Sequence, residues 1–208
     1  MSRHYKLGGT LASGLLITFG VLSIIASIVG FNIVGNDLKQ EKITGTPDMT
    51  PAAIADEAQK AGLKNVDLPD CDVAGKAIDN GIHASCFADY MRIHALLATG
   101  GLTYSEMPRY ATADGKGTND AAAAQKDPKT GQPVDNAARN IWVSETAFST
   151  SLNTAYFGQL VAIFALIMGL CLLLIGIGFL VLSRGLPGPA GKEEAAPAPA
   201  AAAPEPAT

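Results

Sequence analysis

The sequence predicts an all-α membrane protein: two transmembrane helices, a small helical extracytoplasmic insert between them, and a last helix that continues from the insert into the membrane. Three observations carry this. Two runs, 7–36 and 146–183, contain no charged residue. Nearly all the charge lies between them, and Lys and Arg flank their outer ends. A helix needs roughly 20 apolar residues to cross a hydrocarbon core ~30 Å thick, so each run is long enough to span with some tilt.

The expected division is a cytoplasmic N-terminus over 1–8, a first span over 9–34, the insert over 35–154, a second span over 155–183 and a Pro/Ala-rich cytoplasmic tail over 184–208. Arg3 and Lys6 give the first run the positive flank of a signal peptide. A signal core, however, is only roughly 7–15 residues long and ends at a small-residue cleavage site. This run is longer and no such site follows, so a retained anchor is expected.

Orientation follows from Lys and Arg near the span ends. Arg3 and Lys6 precede the first span; Arg184 and Lys192 follow the second. Acidic residues outnumber basic ones between Asp37 and Glu145. Both termini are therefore expected in the cytoplasm, at a plasma membrane. Cysteine usage agrees. Cys71 and Cys86 both fall in the insert, where an oxidising compartment favours a disulfide closing a loop of about 15 residues, worth roughly 3 kcal/mol. Two separate buried thiols are the alternative. Cys171, inside the second span, reads as a small packing residue.

Within the first span Gly20, Ser23, Ser27 and Gly30 follow three- and four-residue steps and share a helix face. Gly158, Ala162, Ala165, Gly169 and Gly176 do the same in the second. Small residues let helix backbones approach closely in lipid, where no hydrophobic effect drives association. These are expected packing faces, against each other or against another chain. Neither span holds Asp, Glu, Lys, Arg or His, which argues against an ion path, proton relay or voltage sensor.

The insert opens with a polar stretch, Asp37 to Asp48, that reads as extended or loop. Thr50 reads as an N-cap with Pro51 at the first helical position, for a helix from Pro51 to Lys60 that ends at Gly62. A second helix is predicted over Ile82 to Ala98, stopped by Gly100 and Gly101, with Phe87, Tyr90, Met91, His94 and Leu97 as its apolar stripe. A short turn at Tyr104 to Met107 precedes a polar stretch, Ala111 to Pro133, that reads as a mobile loop. Val134, Ala138, Ile141, Phe148, Leu152 and Ala155 then recur at helical spacing, predicting one helix from about Asp135 to Leu182. Tyr156 and Phe157 would mark its outer membrane interface. The tail is too poor in other apolar residues to fold.

Reactive side chains are few. His83 and His94 are three helical turns apart, so their imidazoles would stand roughly 16 Å apart along the axis and cannot share one metal. A His83–Cys86 pair with Asp79 or Asp89 would lose its sulfur to a disulfide. Neither a nucleophile elbow nor a phosphate-binding glycine loop occurs. Net charge is −4 with no basic stripe, so nucleic acid is not an expected partner. No catalytic residue, metal or cofactor is assigned. Trp142, the single tryptophan, reads as an interface anchor, a core residue or a binding hot spot. Tyr90 and His94 join it as candidate interaction residues.

Three segments carry a family resemblance: Glu41 to Pro51, His94 to Glu106, and Ala138 to Thr150. Together they resemble a family of small two-span membrane proteins of actinobacteria, whose members are often labelled aromatic ring-opening dioxygenase subunits. The resemblance covers most of Lys42 to Leu182 and implies the same two-span fold; the polar loop is longer than the family's usual arrangement. The label would imply non-haem iron, a site that takes two His and one carboxylate converging with open positions. His83 and His94 do not converge on a regular helix. The residues thus point to a non-enzymatic accessory or structural component of a membrane assembly, with the bilayer and other membrane subunits, or a second copy, as partners. An extracytoplasmic ligand-sensing module is the alternative, and a dioxygenase subunit stands third.

Overall fold

The computed structural model describes residues 3–185. Most of the expected tail, 186–208, lies outside the described residues, and so do Met1 and Ser2. Among the described residues the secondary structure is four helices, α1 (Arg3–Glu41), α2 (Pro51–Lys60), α3 (Gly81–Ala98) and α4 (Ala137–Arg184), with isolated β-bridges and no strand. Two of them, over Leu7–Glu41 and Ala137–Arg184, are long and apolar enough to cross a membrane.

α1 runs further than its apolar core. The polar residues 37–41, expected as extended or loop, stay helical. Nothing there breaks a helix: the first Pro is Pro47, and the turn comes at Lys42, whose φ of 52° is left-handed. α4 is a single uninterrupted helix of 48 residues. Neither helix contains a proline, so every backbone amide past the first turn keeps an intrahelical partner.

The described chain forms two units. Within the described residues, one comprises 3–21 with 170–185. In it α1 and α4 meet through small residues. A Cβ at Gly176 would lie 2.8 Å from Ile17 Cγ1 and 3.0 Å from the Ile17 backbone nitrogen, so only glycine fits without displacement. A Cβ at Gly9 would reach 3.0 Å from Ser183 Cβ, and the Thr10 hydroxyl donates to Ser183 Oγ at 3.5 Å.

The second unit, Leu22–Gly169, holds the rest of both long helices and everything between them. Its core gathers Leu38 of α1, Met49 and Val73 of the loops, Ile54 of α2, Tyr90 and Ile93 of α3, and Leu152 of α4. α3 is buried on more than its predicted stripe: Ala84, Ala88 and Ala95 are also inside, small enough for neighbours to close around the helix. Asn80, unread in the sequence, caps α3 by accepting from the His83 amide at 2.9 Å. Gly81 then docks onto α4. Its added Cβ would stand 2.7 Å from Tyr156 Cα, and the buried Gln159 side chain accepts from its amide, one of the orphan donors of a helix start.

The stretch 111–133 is an ordered knot of turns instead of an open loop. Tyr110 bridges both Thr118 and Asp135, Lys126 bridges Pro133, and Ala124 is buried. The Asp127 carboxylate accepts from the amides of Lys129 and Thr130 at 2.9 and 2.8 Å, which explains how so polar a stretch closes without an apolar core.

Candidate functional site

The residues expected to pack the long helices divide by depth. Ser27 donates from its hydroxyl to the Ala162 carbonyl at 2.7 Å, and a Cβ at Gly30 would lie 3.3 Å from Ala162 Cβ. A Cβ at Gly158 would meet Val34 Cγ2 at 3.2 Å. Gly20, Gly169 and Gly176 are buried, and Ser23 and Ala165 are half-buried. The other faces carry exposed large apolar side chains, among them Phe19, Ile25, Phe164 and Leu174. Cys171 is an exposed free thiol on one of those faces.

Between the long helices, Cys71 and Cys86 form a disulfide with Cα atoms 6.1 Å apart. It ties the loop before α3 to the second turn of that helix. Tyr90, one turn on and fully buried, donates its phenol to the Cys71 carbonyl at 2.6 Å. Burial, with Asp72 and Asp70 nearby, raises the Tyr90 pKa and keeps it a donor. Tyr90 is therefore occupied in the core and offers no interaction surface. The loop side of this core depends on glycine: a Cβ at Gly45 would collide with the Val73 carbonyl.

Trp142 of α4 is half-buried beneath the Arg92 guanidinium, 4.7 Å from the ring centroid. The same Arg92 pairs with Glu145 at 2.9 Å. Glu145, with its side chain only 2% exposed, is a buried carboxylate that sequence reading did not single out. Ser149 donates to its other oxygen at 2.6 Å, so both oxygens are satisfied. Arg92, Trp142 and Glu145 thus clamp α3 to the N-terminal part of α4. Beside the clamp runs an apolar groove of about 660 Å³, walled by Met91, His94 and Ala95 of α3 and by Ile141, Glu145 and Phe148 of α4. A second, of about 460 Å³, lies between α1 and α4 along Leu38, Ile43 and Leu152.

His94 occupies a place its sequence neighbours do not reveal. Along α3 it groups with His83 and Cys86, but the fold separates them: His83 Nδ1 contacts the Ala77 carbonyl at 3.0 Å, and Cys86 is bonded to Cys71. His94 instead meets residues from two other segments. Asp48 sits in the turn before α2, held by the Met49 amide donating to the Thr46 carbonyl. Glu57 lies on α2, which packs against α3 through buried Ile54 and Ala58. The ligand atoms of Asp48, Glu57 and His94 all lie within 4.8 Å of one another. His94 Nε2 is 3.1 Å from Asp48 Oδ2, an ion-pair distance, yet the alignment is not that of a hydrogen bond and the buried nitrogen has no hydrogen-bond partner. The Thr46 hydroxyl foremost, then Asp48's own backbone and His94, hold the Asp48 carboxyl below its usual pKa against the opposing effect of burial. No spacing rule links residues 48, 57 and 94; only the α2–α3 contact brings them together.

Comparison with known proteins finds no matching family model, no matching curated protein and no matching solved structure.

Proposed function

We propose that the chain is a two-span membrane protein with cytoplasmic termini and an extracytoplasmic domain, and that it serves as a non-enzymatic accessory or structural component of a membrane assembly. The observation that carries this reading is the distribution of apolar surface. α1 and α4 cover their small residues and leave most large apolar side chains outward, a surface suited to lipid tails or to other membrane helices. Outside the expected spans, apolar grooves and the exposed Ile141 and Val143 continue along α4, where a solvated helix would be polar. The Cys71–Cys86 disulfide fits an oxidising compartment for the domain between the helices.

Affinity purification from native membranes in mild detergent, with mass spectrometry of the eluate, tests this. A stoichiometric membrane partner is expected; recovery of the chain alone as a monomer would contradict it. The second reading, a ligand-sensing module, is favoured by the α3–α4 groove, whose wall passes from His94 to the helix that continues toward the second span. It predicts an apolar ligand in the eluate in place of a protein.

A further inference from the structure

We propose that Asp48, Glu57 and His94 form a divalent transition-metal site that staples the Asp48 turn, α2 and α3 together. Three donors from three separate segments converge so that all their ligand atoms fall within 4.8 Å. One ion bonded to each at about 2.0–2.2 Å sets tetrahedral ligand atoms roughly 3.3–3.6 Å apart, so the three need only close in slightly around it. The cluster is not a set of mutually screened surface acids, because one member is an imidazole whose Nε2 is buried and lacks a hydrogen-bond partner. A buried polar atom without a partner costs free energy, and such an atom in a folded protein calls for an explanation. A metal supplies the directed bond that the 3.1 Å contact with Asp48 lacks, and neutralises the two carboxylates facing it.

The donor set selects the metal. Calcium takes six to eight oxygens, and soft copper(I) takes sulfur; the only cysteines in this domain are consumed in the disulfide. One imidazole nitrogen with two carboxylates suits zinc, with manganese(II) and iron(II) as the other candidates. Three protein ligands leave at least one position for water or another donor. The site is a second staple in a small domain: the disulfide fixes α3 to the loop before it, and the metal fixes α3 to the Asp48 turn and α2. This inference stands apart from the assembly reading, since it needs neither a partner nor a membrane orientation.

The test uses the full chain in mild detergent, purified without a histidine tag and stripped with chelator. Zinc alone is then titrated, followed by calorimetry and by elemental analysis after dialysis. One zinc per chain and a rise in Tm are expected. Asp48→Asn, Glu57→Gln and His94→Gln should each weaken binding at least the roughly tenfold that loss of an outer-shell partner already costs. His83→Gln, on the same helix but held at the Ala77 carbonyl, should bind as the parent does. Because a variant can fail to fold, ¹⁵N-histidine spectra of the parent give an independent readout. The chain has 3 histidines, and zinc should move the His94 ring resonances first. Absence of stoichiometric binding, binding equal in all three variants, or zinc shifts confined to the other histidines would each overturn the proposal.

Discussion

The long apolar helices and the domain between them are held together in opposite ways. Where α1 meets α4, contact is made by subtraction: Gly30, Gly158 and Gly176 remove side chains so that backbones approach, and Ser27 adds one hydrogen bond. The intervening domain is held by addition, through a disulfide, a buried carboxylate with its arginine, a phenol on a carbonyl and a glutamine on a helix start. The first strategy suits lipid, where burying one more leucine gains little. The second suits a small domain in water, whose core is too limited to stabilise it alone. Losses should therefore be large and focused in the domain, and small and distributed along the long helices.

The largest expected effect is at the α3–α4 clamp. Arg92→Ala leaves the Glu145 carboxylate buried with only Ser149 and its neighbours, and should destabilise the domain by about 3 kcal/mol. Thermal unfolding in detergent reads this, and Arg92→Ala with Glu145→Gln should restore part of the loss. The disulfide matches it: Cys71→Ser with Cys86→Ser should cost roughly 3 kcal/mol, and reductant should lower the parent's Tm without moving the variant's.

In the long helices Gly176→Val should weaken the α1–α4 contact by about 1–3 kcal/mol, the usual cost of overpacking, whereas Gly178→Val, with open space around it, should not. Ser27→Ala should cost only about 0.6 kcal/mol, the mean for hydrogen bonds between membrane helices. If Ser27→Ala proved as costly as Arg92→Ala, the contrast between the two regions would fail.

The smallest effect is local and pH-dependent. Hydrogen bonds from the Thr130 amide first, and then from Lys129, lower the Asp127 pKa in the 111–133 knot. A lowered carboxyl pKa stabilises above the unfolded value, so this turn should hold at neutral pH and loosen as pH falls through its depressed pKa. Amide exchange over 127–131 should rise in acid beyond the intrinsic rate in the parent, and lose that pH dependence in Asp127→Asn.

The same contrast explains what was legible in the sequence. α2 with its Thr50 cap, the start and stop of α3, and α4 are local patterns, and each lies within a few residues of its predicted place; α1 contains its predicted span and runs past both ends. The extension of α1 over 37–41 is not legible because its residues are polar and lack an apolar helical period, although nothing there breaks a helix. The order in 111–133 escaped because Asx-type hydrogen bonds leave no hydrophobic period. The Cys71–Cys86 pairing was legible because two cysteines in one segment have a single way to pair. Glu145 and the Asp48–Glu57–His94 cluster were not, because their partners come from other elements and only tertiary packing brings them together.

The most direct test of the account is topological. A single reporter cysteine, Ala113→Cys in the exposed part of the knot or Gly185→Cys at the end of α4, is placed in a Cys171→Ala background, and intact cells are treated with a membrane-impermeant maleimide. Ala113→Cys should label in intact cells, and Gly185→Cys only after permeabilisation. The reverse pattern, or both positions labelling only after permeabilisation, would contradict a two-span protein with its disulfide-bonded domain outside the cytoplasm.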